Sequence, residues 1–136
     1  MIVYAIAPFA GYVTAGAIKF LVNSLRARRL AFDKIGLGGL PSTHTAIVTT
    51  VAALIGFRDG LAQPAFAVAM ALLCIVVIDA MDLRRKVGRH ATLLKIALPS
   101  HPDAQRLRER MGHSLVEVAA GLVTGLLCGL ALAHYD

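Results

Sequence analysis

Residues 64–83 read PAFAVAMALLCIVVIDAMDL. From Ala65 to Ile78 no charge interrupts the run, and Asp79 and Asp82 appear only at its end. About 20 mainly apolar residues are enough for one helical crossing of a bilayer. Three further apolar segments flank this one, over about 2–25, 43–56 and 114–133. The first contains Lys19. The second has 14 residues, or ~21 Å as a helix, less than the ~30 Å hydrocarbon thickness. It must therefore sit inside a bundle, thin the membrane locally, or continue past Gly56 as an irregular segment. The expected fold is all-α: an integral membrane bundle of about four transmembrane helices, the second one short. All 136 residues form a single membrane-embedded domain in this reading.

Composition agrees with that reading. The chain is 57% hydrophobic with a mean hydropathy of +0.70, more apolar than the ~45–50% usual for soluble domains. Its 14 Lys+Arg against 8 Asp+Glu give a net charge of +6. Such a balance suits nucleic acid, an anionic membrane surface or a phosphorylated substrate, and the hydropathy argues against nucleic acid. Cys74 and Cys128 both lie in apolar runs, at depths too different for a disulfide. MIVYAIAP at the start has no basic n-region, so the first apolar stretch is expected as a retained helix and not a cleaved signal.

The connections differ in character. Residues 26–40 are basic and Gly-rich, 57–63 form a short loop, and 84–112 are long and charged. Short amphipathic pieces are expected near 88–98 and 103–111. Four crossings place Lys19, Arg26, Arg28, Arg29, Lys34, Arg84, Arg85, Lys86, Arg89, Lys95, Arg106, Arg108 and Arg110 on one side, and only Arg58 on the other. The positive-inside rule puts the basic face in the cytoplasm and both termini outside.

That face also gathers the polar residues that chemistry would use. Ionisable groups within membrane helices are costly and tend to mark function. His44 follows Pro41-Ser42-Thr43 at a helix start, where free N–H groups and the positive dipole end attract phosphate. An ordinary helix start with Ser42 or Thr43 as N-cap, and an exposed His44, is the alternative. His113 and Glu117 stand four apart on one helix face. A carboxylate so placed can hold one imidazole nitrogen protonated and leave the other free to attack. It could equally be a surface pair at a helix start. Gly121, Gly125 and Gly129 continue the stripe and allow close helix approach. Lys19 either faces the bundle or snorkels to the interface. Arg84 and Arg85 are candidate anion ligands or topology anchors. Asp79 and Asp82 are a thin metal signature; Asp82 could instead pair with Arg85 or Arg26.

Taken together, Lys19-x6-Arg26, Pro41-Ser42-Thr43-His44 and His113-x3-Glu117 resemble the signature of the type 2 phosphatidic acid phosphatase superfamily, which includes vanadium haloperoxidases. That signature is Lys-x6-Arg-Pro, Pro-Ser-Gly-His and Ser-Arg-x5-His-x3-Asp. The segments GGLPSTHTAIVTTVAALIG, IDAMDLRRKVGRHA and LRERMGHSLVEVAAG are similar to a divergent branch of small membrane proteins. The resemblance spans roughly Lys19 to Gly125. It implies His113 as a nucleophile forming phosphohistidine, Glu117 as its orienting partner and His44 as the general acid. It implies Lys19, Arg26 and Arg84 or Arg85 as phosphate ligands, to which the helix start adds Ser42 and Thr43. No cofactor or metal is implied. Ala27, Thr43 and Glu117 depart from the pattern, and Leu107 stands where the motif arginine would fall. Arg84, Arg85 or a shifted Arg108 must then supply that charge.

The expected activity is therefore a metal-independent membrane phosphatase acting on a phosphorylated lipid or isoprenoid. Alternatives are a non-catalytic lipid-phosphate-binding scaffold and a small transporter subunit. Expected partners are that substrate, membrane lipids and, through the glycine stripe, further copies of the chain; nucleic acid is not among them.

Overall fold

The computed structural model describes residues 2–30 and 39–135. Lys34 and most of the Gly-rich connector (31–38) lie outside the described residues. Among the described residues, six α-helices and one π turn follow in order: α1 (Ile2–Ala27), α2 (Thr43–Arg58), α3 (Pro64–Ile78), the π turn (Asp79–Leu83), α4 (Arg84–Ala97), α5 (Pro102–Arg106) and α6 (Leu115–Ala133). The described residues contain no strand. The protein is an all-helical integral membrane bundle. Among the described residues, three helical stretches are long and apolar enough to cross a membrane: Ile2–Ala27, Pro64–Ala97 and Leu115–Ala133.

The short second helix is the centre of the bundle. Eight of its residues are buried (Thr45, Ala46, Thr49, Thr50, Ala52, Ala53, Leu54 and Ile55), against three in α1 and four in α6. Its 16 residues span ~24 Å, and it needs no lipid-facing length because its neighbours surround it. A helix apolar on all sides is a buried helix.

Small residues let those neighbours close in. A Cβ on Gly121, Gly125 or Gly129 would lie 2.5–2.6 Å from Ser42 O, Thr49 Cβ or the Thr50 carbonyl, and one on Gly11 of α1 would lie 2.6 Å from Thr50 Oγ1. The glycine stripe of α6 is thus consumed against α2 inside one chain. It does not offer the oligomer surface that the sequence pattern suggested. At the base of α3, Ala69 packs with Ala52 and Ile55, covered by Tyr4, Val51 and Phe66.

The third segment differs most from expectation. It does not stop at Leu83; the helix runs on through the π turn into α4, 34 residues from Pro64 to Ala97, or ~51 Å. The amphipathic piece near 88–98 is the end of this helix. The piece near 103–111 is helical only over Pro102–Arg106, because Leu107 adopts an extended ψ of 140°. Residues 107–113 then form a strap lying along α4. A Cβ on Gly88 would strike the Glu109 carbonyl, so the two backbones touch there. Glu109 accepts from Lys95 Nζ at 2.7 Å and Thr92 Oγ1 at 3.0 Å, which pins the strap.

Candidate functional site

Polar contacts tie both ends of the bundle. At one end the Tyr4 hydroxyl donates to the Asp59 carboxylate at 2.6 Å, and Arg58 donates to the Tyr135 carbonyl at 3.5 Å. The other end joins the start of α2, the π turn and the start of α6. There Ser42 N–H donates to the Glu117 carbonyl at 2.9 Å, and His113 N–H donates to the Ala80 carbonyl at 2.9 Å. Arg58 thus stands at the end of the bundle opposite Lys19, Arg84 and Arg108.

His113 ends the strap, one residue before the N-cap of α6. Gly112 precedes it with φ +87°, and a Cβ there would lie 2.6 Å from Arg85 Cγ and 3.0 Å from Ala80 O. Only glycine fits both the dihedral and the space. Ser114 and Glu117 form a reciprocal capping box: Glu117 N–H donates to Ser114 Oγ at 3.3 Å, and Ser114 N–H donates to Glu117 Oε2 at 2.7 Å. The same Oε2 stands 3.4 Å from His113 Nδ1, a nitrogen shielded from solvent that makes no closer hydrogen bond. Glu117 is therefore both a cap and the carboxylate facing the His113 ring. Burial pushes the His113 pKa below its ordinary value; Lys19 and Arg84 add to this and the Glu117 charge opposes it. The neutral imidazole is the favoured form.

Lys19 lies one turn beyond the buried stripe Ala7, Gly11 and Ala15 of α1, on the face turned to α2. It is half-buried, within electrostatic range of Glu117 and Arg108. Lys19 thus faces the bundle rather than snorkelling outward. The four-residue spacing of small residues leading up to it was the sequence signal for this. Arg108, one position after Leu107, reaches the same neighbourhood.

His44, in the first turn of α2, lies within electrostatic range of Arg84, His113, Lys19 and Asp79. Arg84 also lies within range of His113. Arg85 instead packs its stem beside Gly112. Arg26 is exposed in the last turn of α1, and Thr43 is partly exposed at the start of α2. Ser42 differs from expectation. It is the N-cap residue, but its hydroxyl is fully buried and bonded to Thr45 Oγ1 at 2.8 Å. Its side chain is committed inside the bundle.

The two acidic residues at the end of α3 each hold a cation of their own helix. Arg84 Nε donates to Asp79 Oδ2, and Lys86 Nζ to Asp82 Oδ2 at 2.8 Å. Asp82 therefore pairs with Lys86, not with Arg85 or Arg26. Among the described residues no group of three or more His, Cys, Asp or Glu side chains is placed to hold a metal ion.

Two histidines, one carboxylate and several cations thus gather at one end of the membrane bundle. The chain belongs to the Divergent PAP2 family, whose model matches residues 3–128. It is 30% identical to the uncharacterized membrane protein YuiD of Bacillus subtilis (strain 168), over 93% of this chain and 90% of that protein. No solved structure matches it.

Proposed function

We propose that the protein is a phosphatase acting on a phosphorylated lipid or isoprenoid at the basic, cytoplasmic face of the membrane. The observation that carries this reading is the placement of His113, with Nδ1 facing Glu117, within electrostatic range of Lys19, Arg84 and His44. Phosphoryl transfer requires chiefly a positioned nucleophile, cations on the equatorial oxygens and a proton for the leaving oxygen.

In this mechanism Glu117 holds the proton on His113 Nδ1, and Nε2 attacks phosphorus through its lone pair. The P–O bond to the lipid breaks, and His44 gives its proton to the departing oxygen. Water, deprotonated by His44, then attacks the phosphohistidine; the P–N bond breaks, phosphate leaves and Nε2 regains its lone pair. Lys19, Arg26 and Arg84 carry the phosphoryl charge. Arg108 supplies the cation that Leu107 does not, and the backbone N–H groups at Thr43 and the start of α2 add dipole stabilisation. The low pKa of His113 supports the nucleophilic role, because only the neutral ring attacks.

The test is phosphate release from a lipid monophosphate and an isoprenoid diphosphate by purified protein in detergent. His113→Ala should abolish release and the acid-labile phosphoenzyme, and His44→Ala should slow release by ~10²–10⁴-fold. Release unchanged in both variants refutes the reading. Leu107 at the motif position favours a second one, a lipid-phosphate-binding scaffold, which predicts phosphate binding without turnover.

A further inference from the structure

In an α-helix, residues five apart point about 140° away from each other. Asp79 and Arg84 are five apart, yet their side chains form an ion pair. The π turn makes this contact possible. Its i→i+5 bond, from Arg84 N–H to the Asp79 carbonyl, brings the two residues onto one face. The same turn presents the Ala80 carbonyl to the His113 N–H and receives Gly112 against its backbone. Arg84 is within electrostatic range of both histidines, and Asp79 within range of His44. Both partners of the pair are about one-third exposed, at 37% and 31%, so solvent and an incoming anion can reach them.

We propose that Asp79 is a positioning residue: through the π turn it aims the Arg84 guanidinium at the space beside His44 and His113, where a phosphoryl oxygen is to be held. This rests on the reading of that end as a phosphate site. The guanidinium presents five N–H donors. Asp79 accepts from Nε, which leaves the terminal nitrogens free to hold two oxygens of a phosphate. Without the carboxylate the long side chain loses its fixed direction, and part of its anion affinity goes into re-ordering it. Asp79 itself touches neither phosphate nor histidine in this arrangement.

The experiment is a double-mutant cycle on the full chain in detergent. It compares wild type, Asp79→Asn, Arg84→Gln and the double variant. The readouts are inorganic phosphate and vanadate binding by calorimetry, and kcat/KM for a lipid monophosphate. Asp79→Asn should weaken anion binding and kcat/KM about tenfold in the wild-type background. It should change neither once Arg84 is already glutamine, because its effect runs through that side chain. Asp79→Glu, which keeps a carboxylate near Arg84, should recover most of the loss. Equal losses from Asp79→Asn in both backgrounds, or tighter anion binding in Asp79→Asn, overturn the inference and leave the proposed phosphatase standing. Binding without hydrolysis in the wild type removes the phosphatase and leaves the binding cycle to decide on Asp79. A wild type that neither binds phosphate nor hydrolyses the lipid refutes both.

Discussion

Gly125→Ala probes whether α2 is held by backbone contact with α6. A Cβ at this position would lie 2.5 Å from Thr49 Cβ, 2.6 Å from the Ala46 carbonyl and 3.0 Å from Thr50 N. Ordinary contacts between such atoms are about 3.5–4.0 Å. Two of the three neighbours are backbone, so no side chain can swing away, and α6 must retreat by on the order of 1 Å. Overpacking of this kind costs ~1–3 kcal/mol, against a helix-propensity gain of up to ~1 kcal/mol for replacing glycine by alanine. A net loss of up to about 2 kcal/mol is expected. Gly16→Ala is the internal control. It too lies in a helix interior, but nothing stands within 4 Å of its Cβ. That variant should be neutral or gain up to ~1 kcal/mol. The assay is reversible denaturation of each purified variant in mixed micelles, with the same probe and detergent. If Gly125→Ala proved as stable as Gly16→Ala, the close packing of α6 on α2 would be refuted.

Gly112→Ala should cost ~1–2 kcal/mol from its left-handed backbone alone, and more from the approach to Arg85 and Ala80; lipid-phosphate turnover should fall further than stability does, because His113 is the next residue. Retained turnover in a folded variant would show that the strap does not set the His113 position. The His113 ring should titrate below the ordinary ~6.5, and Glu117→Gln should lower it further, since the carboxylate charge favours the imidazolium; NMR titration of labelled histidine checks this, and an upward shift refutes the pairing. In a chain with Cys74 and Cys128 replaced by alanine, Arg110→Cys should resist an impermeant maleimide in intact cells and react in inverted vesicles, with Ala62→Cys showing the reverse. The opposite pattern would place the basic face outside.

Much of this protein is legible in its sequence because bilayers impose a simple rule. Apolar length reports crossings, and lysine and arginine report the end at which they gather. Residues 64–83 commit the chain to a membrane helix, and the spacing of His113, Glu117, Gly121, Gly125 and Gly129 places one face of α6 inward. Which helix that face meets was decided only by the tertiary structure. The glycine stripe reads equally well as a dimer surface or an internal seam, since small residues announce close approach but not the partner. Its partner is α2, whose short length follows from being enclosed. The π turn was likewise invisible. Nothing in DAMDL distinguishes i→i+4 from i→i+5 bonding, yet that choice pairs Asp79 with Arg84 and offers Ala80 to His113. Ser42 shows the same limit from the other side: a hydroxyl beside a histidine at a helix start suggests an anion ligand, but packing turns it inward onto Thr45. The sequence determined which groups share an end of the bundle; side-chain direction, which depends on the neighbouring helices, was settled only by the fold.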